Sequence, residues 1–118
     1  MPISDRRKWK VNRSADETKK IMIDKLKQKK AEIKEASSRM IEATMGSALK
    51  TRLIGGLIVS KETLPIKVTL LMNDVAGETE IDATIEDNLG PGIRTGMVGR
   101  YMEYIQSLFD ELAKALQE

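Results

Sequence analysis

The clearest pattern in the chain is a pair of alternating runs. Ile66, Val68, Leu70 and Met72 alternate with Lys67, Thr69 and Leu71, and Ile81, Ala83 and Ile85 alternate with Asp82, Thr84 and Glu86. Period-two alternation is what a strand with one buried face requires. The connection between the runs, Asn73–Glu78, is polar and contains Gly77, so it predicts an antiparallel hairpin. Near the N-terminus, Trp9 and Val11 face one way and Lys8, Lys10 and Asn12 the other. This predicts a strand over residues 7–13, placed at a sheet edge because its second face is polar. Residues 1–6 read as a flexible polar arm.

Ser14 and Glu17 form a capping box, which opens a helix over about residues 14–29. Thr18, Ile21, Met22 and Leu26 supply its narrow apolar stripe. Between residues 30 and 45 two readings compete. A set at helical spacing, Met22, Leu26, Ile33, Ala36, Met40 and Ala43, would carry the helix on to about Thr44. Alternation through Ala31, Ile33 and Glu35, the turn signal Ser37-Ser38, and alternation through Ile41, Ala43 and Met45 favour two short strands instead. Leu49, Thr51 and Leu53 alternate next, followed by Gly55-Gly56, which marks a bend or bulge, and the apolar run Leu57-Ile58-Val59. Pro65 suits the first position of a strand. Gly90-Pro91-Gly92 ends the sheet, and Thr95 is placed to cap a last helix over about residues 95–116. Val98, Tyr101, Met102, Ile105, Leu108, Phe109, Leu112, Ala115 and Leu116 give that helix a wide stripe. The expected fold is α+β, with an antiparallel curved sheet of about five strands and both helices packed on it.

Composition narrows the chemistry. A chain of 118 residues is one domain by the usual size relation. It has no cysteine and no histidine, which removes disulfides, thiolate or imidazole metal sites, and the hydrolase triads. No acid–base pair is specified, so the expectation is a protein that is not an enzyme, without catalytic residues, metal or cofactor. There is no long apolar run to cross a membrane and no apolar segment behind the charged start. The expected location is cytoplasmic.

Net charge is only +2 but unevenly placed: residues 1–40 hold thirteen Lys/Arg against six Asp/Glu. Arg7, Lys8, Lys19, Lys20, Lys27 and Lys30 are therefore candidates for a surface that binds nucleic acid or anionic lipid. Trp9 alone interleaves with them, so base stacking has little support. Glu80, Asp82 and Glu86 share one face of a strand; a hard cation would use such oxygens, but a solvated sheet face explains them without one.

The β-α-β-β-β-β-α order resembles the small helix-on-curved-sheet domains, namely the TBP-like arrangement and the START/Bet v 1-like helix-grip proteins. The stretch MIEATMGSALKTRLIGG, then LPIKVTL, and the Gly-rich lead into the last helix look like a group of small uncharacterised prokaryotic proteins of this kind. Members that read DNA use Phe wedges on the sheet, which the sheet segments here lack. Members that bind ligands enclose a cavity between sheet and helix, and at this length a cavity is small. The resemblance implies a binding module that holds a small apolar or amphipathic ligand, or a protein partner, between the sheet and the last helix. Leu57, Ile58, Val59, Met97 and Val98 would line its mouth. The alternatives are the basic-helix binder and a structural homo-oligomer paired through the Leu57–Val59 run.

Overall fold

A computed structural model describes residues 3–47, 51, 60–89 and 96–117. Among these are five strands, β1 (Ser4–Val11), β2 (Glu32–Ala36), β3 (Met40–Met45), β4 (Ile66–Val75) and β5 (Glu78–Asp87), and two helices, α1 (Ala15–Gln28) and α2 (Val98–Gln117). The strands form one antiparallel sheet in the order β1-β5-β4-β3-β2. The first strand thus pairs with the last, which brings the two ends of the β sequence together and leaves β1 and β2 as edges.

The hairpin is tighter than its polar connection suggests. Val75 pairs with Glu78, so the turn is Ala76-Gly77 alone, with φ of 53° and 84°. Positive φ at both central residues is the turn whose twist matches the flanking strands. Asn73 and Asp74 are therefore strand residues.

Residues 30–45 resolve as two strands. What stops α1 is a left-handed residue: Lys30 has φ of 65°. The Lys30 N–H donates to the Lys27 carbonyl and the Ala31 N–H to the Leu26 carbonyl, both at 2.9 Å. This pair of bonds closes a helix end against further extension. At the other end Ser14 Oγ accepts from the Glu17 N–H at 3.2 Å, while the Glu17 carboxylate takes Arg13 at 2.9 Å instead of completing the box.

β1 starts at Ser4, inside the stretch expected to be an arm. Its inner face explains the extension. Arg7 bonds Asp110 at 2.8 Å and Gln106 at 2.5 Å, and its guanidinium carbon lies 4.9 Å from the Phe109 ring centre. Gln106 also donates to Asp5, and Trp9 meets Phe109 edge-on at 6.0 Å. A polar clasp therefore fastens the early half of β1 to α2, where apolar periodicity alone shows nothing.

The core lies between the sheet's inner face and the two helices. Ile41, Val68, Leu70, Ile81 and Ile85 from the sheet meet Met22 and Leu26 of α1 and Ile105, Leu108, Phe109 and Leu112 of α2, all fully buried. Each such side chain contributes roughly 1.5–3 kcal/mol of transfer free energy. The outer face is a charge lattice: Asp82 accepts from Arg6, and Lys67 sits 3.4 Å from Glu42 and 3.7 Å from Glu86. No helix among the described residues is long and apolar enough to cross a membrane.

Candidate functional site

One end of the sheet gathers five chain segments. β3 ends at Met45, β4 starts at Ile66, β5 ends at Asp87, and these three pair across the sheet. The start of α2 is fastened there, because the Tyr101 hydroxyl donates to the Pro65 carbonyl at 3.1 Å. Pro65 also accepts from the Asn88 N–H at 2.9 Å. The β1 start joins through the Asp87 N–H, which donates to the Ile3 carbonyl at 2.8 Å, while the Ile3 N–H donates to the Asp87 carboxylate.

The turn after β3 is fixed by Gly46. Its φ is +81°, and a Cβ there would collide with the Leu64 carbonyl oxygen. The Ser47 N–H then donates to the Thr63 carbonyl at 2.8 Å. Thr51, which is buried, places its hydroxyl 2.8 Å from the Ser47 carbonyl and 3.2 Å from that of Thr63. These bonds pin both flanks of segment 48–59. Segment 90–95 likewise leaves after Leu89 and returns at Gly96, beside the start of α2.

Met45, Leu64, Leu89, Met97 and Tyr101 give this end an apolar lining. All five are buried, Leu64 and Tyr101 at 0% and Met45, Leu89 and Met97 at 4–6%. Two of these three are methionines, whose unbranched side chains repack at low cost. Nearly two turns into α2, Tyr104 is pushed up to about 12, chiefly by burial, with Glu62 and Glu111 opposing the phenolate.

Of the residues expected at a mouth, Met97 is buried in this lining and Val98 is exposed at the start of α2. Leu57, Ile58 and Val59 lie outside the described residues. Met45, Leu64, Leu89 and Tyr101 were not among the expected site residues. Each reads as an ordinary strand-end or helix-stripe position, and only the strand order shows that they share one end.

The basic candidates divide between surfaces. Lys19, Lys20 and Lys27 lie on α1, and Lys30 follows it. Arg7 is on the inner face of β1, held by Asp110 and Gln106. Lys8 projects from the outer face. The six are not gathered into one face. Among the carboxylates, Asp82 is held below its usual range by the hydrogen bond from Arg6, and Glu86 lies in the Lys67 lattice. The described residues contain no cluster of metal-ligating side chains.

No protein-family model and no curated protein matches the chain. Its structure matches that of Ara h 8.0201, a Bet v 1-like protein, with a TM-score of 0.50 and 10% identity, covering 100% of both chains. It also matches TTHA0849 from Thermus thermophilus, with a TM-score of 0.51 and 10% identity over 96% of this chain and 93% of that one. At such identity the likeness is one of fold alone, a helix on a curved antiparallel sheet.

Proposed function

We propose that the protein is a non-enzymatic binding module that takes a small apolar or amphipathic ligand between the sheet and α2, at the Met45–Met97 end. The observation that carries this reading is the meeting of the β3, β4 and β5 ends with the start of α2, fastened by the Tyr101–Pro65 hydrogen bond, around the apolar side chains of Met45, Leu64, Leu89 and Met97. The likeness in fold to a Bet v 1-like protein supports it. The apolar run Leu57–Val59, which does not alternate, is the sequence feature that suggests such a site. The lining has the usual make-up of a small-molecule site, apolar walls with few polar groups; here Tyr101 and Tyr104 bring hydroxyls.

Native mass spectrometry of the freshly purified protein tests the proposal, together with titration of the fluorescent probe anilinonaphthalene sulfonate. A co-purifying mass of a few hundred daltons, or saturable binding of the probe that Ile58→Asp or Met97→Asp abolishes in a folded protein, is the expected result. Bare chain mass with no saturable binding overturns the reading. A clean multiple of the chain mass would favour a homo-oligomer in its place, and steeply salt-dependent retention of RNA or DNA would favour the α1 lysines.

A further inference from the structure

β1 is an edge strand, and its hydrogen-bond phase can be fixed. The Asp87 N–H donates to the Ile3 carbonyl, so Ile3 and Asp87 are a hydrogen-bonded pair. Such pairs recur every second residue in an antiparallel ladder. Asp5, Arg7, Trp9 and Val11 therefore turn their main-chain groups towards β5, and Ser4, Arg6, Lys8 and Lys10 turn theirs outward. The early part of this edge is blocked, since the Asp5 carboxylate accepts the Arg6 N–H at 2.8 Å. An N–H already bonded to a side chain is not offered to an added strand. No described residue does the same for Lys8 or Lys10. Alongside them runs a groove of about 290 Å³, with Lys8–Val11 on one wall and Ala113, Leu116 and Gln117 on the other.

We propose that the Lys8–Lys10 edge docks an extended acidic segment of a partner protein as a sixth strand, at a site separate from the ligand end. Charge selects the occupant. Inside the sheet, Lys67 is flanked by an acid on each neighbouring strand, Glu42 and Glu86. Lys8 and Lys10 have half of that arrangement: Asp82 and Glu80 stand opposite them on β5, and no described strand stands on the open side. A strand with acidic residues on the outer face completes the pattern, while its alternate apolar residues reach the groove beside Trp9, Val11 and Leu116. A second copy of β1 does not fit. Every two-fold antiparallel register over residues 6–10 sets Arg6, Lys8 or Lys10 against one another, and like charges directly opposite are destabilising.

The test is amide NMR of the full chain with an acetylated, amidated octapeptide alternating Glu and Val, and the same peptide with Lys in place of Glu. Slowed exchange and shifted signals at the Lys8 and Lys10 amides are expected with the acidic peptide only. Lys10→Pro removes an outward N–H and spares the β5 ladder; it should weaken binding about tenfold, the effect of one main-chain hydrogen bond. Should that variant not fold, Lys8→Glu/Lys10→Glu alters only surface charge and is expected to exchange preference to the Lys peptide. Binding of both peptides alike, shifts confined to other residues, an unchanged affinity in folded variants, or no shift at millimolar peptide overturns the proposal. So does a single-stranded oligonucleotide that shifts the same amides equally well, since the edge would then be a general polyanion surface.

Discussion

The Tyr101 hydroxyl donates to the Pro65 carbonyl at 3.1 Å and so fastens the first turn of α2 to the residue just before β4. The carbonyl has a second donor, the Asn88 N–H at 2.9 Å, so removing the phenol does not orphan it. Tyr101→Phe should therefore lose about 1 kcal/mol, the net worth of one neutral hydrogen bond, measured by denaturant unfolding. Amide exchange in the variant should quicken first around residues 97–101, the end where the ligand site is proposed. A loss spread evenly over the sheet would show that the bond does not hold this end.

Two glycines with positive φ should respond differently to alanine. At Gly46 the new Cβ meets the main chain of Leu64 and Thr63 within 2.8 Å, whereas at Gly77 nothing lies within 4 Å. Gly77→Ala incurs only the left-handed conformation, about 1–2 kcal/mol. Gly46→Ala incurs that and must also displace backbone, so it should cost well over twice as much or fail to fold. Paired thermal melts of the two variants check the ratio.

The residues that are easy to read in the chain are those whose role follows from period. The alternation of Ile66–Met72 and Ile81–Ile85 gives β4 and β5, and the stripe from Tyr101 to Leu116 gives α2. The alternation after residue 30 also places the end of α1 near residue 29, although the left-handed residue that closes it is Lys30 and not a glycine. Two features escape such reading for physical reasons. The early half of β1 is hidden because Asp5 and Arg7 point inward to a polar clasp with Gln106 and Asp110. The grouping of Met45, Leu64, Leu89 and Met97 depends on strand order, which local pattern does not encode. Leu57–Val59, the run that suggested a binding mouth, lies outside the described residues.

Lys30 and Ala76 are the two residues other than glycine that hold positive φ among those described, at 65° and 53°. A Cβ in that region costs about 1–2 kcal/mol, and glycine avoids it at some entropic cost in the unfolded chain. Lys30→Gly and Ala76→Gly should each raise stability by roughly 0.5–1 kcal/mol on that balance. The sites are on different elements, so the double variant should be close to additive. Chemical denaturation of the two single variants and the double measures this. A net loss in either would mean that the native backbone there is not strained.

Thr18 Oγ1 is fully buried on α1 and has no hydrogen-bond partner among the described residues. A buried hydroxyl without a partner carries a desolvation penalty of about 1–3 kcal/mol. Thr18→Val keeps the branched shape and exchanges the hydroxyl for a methyl, so it should stabilise the fold by about 1 kcal/mol or more. An equal or lower melting temperature would show that the hydroxyl does find a partner, such as a bound water.

Tyr104 gives the fold a dependence on alkaline pH whose sign can be worked out. Burial first, then the charges of Glu62 and Glu111, hold its phenol protonated to about 12 instead of the ordinary 10.0. Below pH 10.0 the folded and unfolded chains both keep this proton, and the group leaves stability unchanged with pH. Between 10.0 and about 12 the unfolded chain releases the proton while the folded chain retains it, so unfolding is favoured as pH rises. Lysines also lose charge in this range, so the informative quantity is the difference between the native chain and Tyr104→Phe. The variant should match the native chain at neutral pH and melt progressively higher than it above about pH 10. Near-ultraviolet absorbance of the folded native chain should show a tyrosinate step at about 12 that Tyr104→Phe removes. Glu111 also pairs with Lys29 at 2.9 Å, so Glu111→Gln should lower the step while loosening the junction of α1 and α2. If the step stays in Tyr104→Phe, the phenol held protonated belongs to another tyrosine, and the carboxylates beside α2 act on something else.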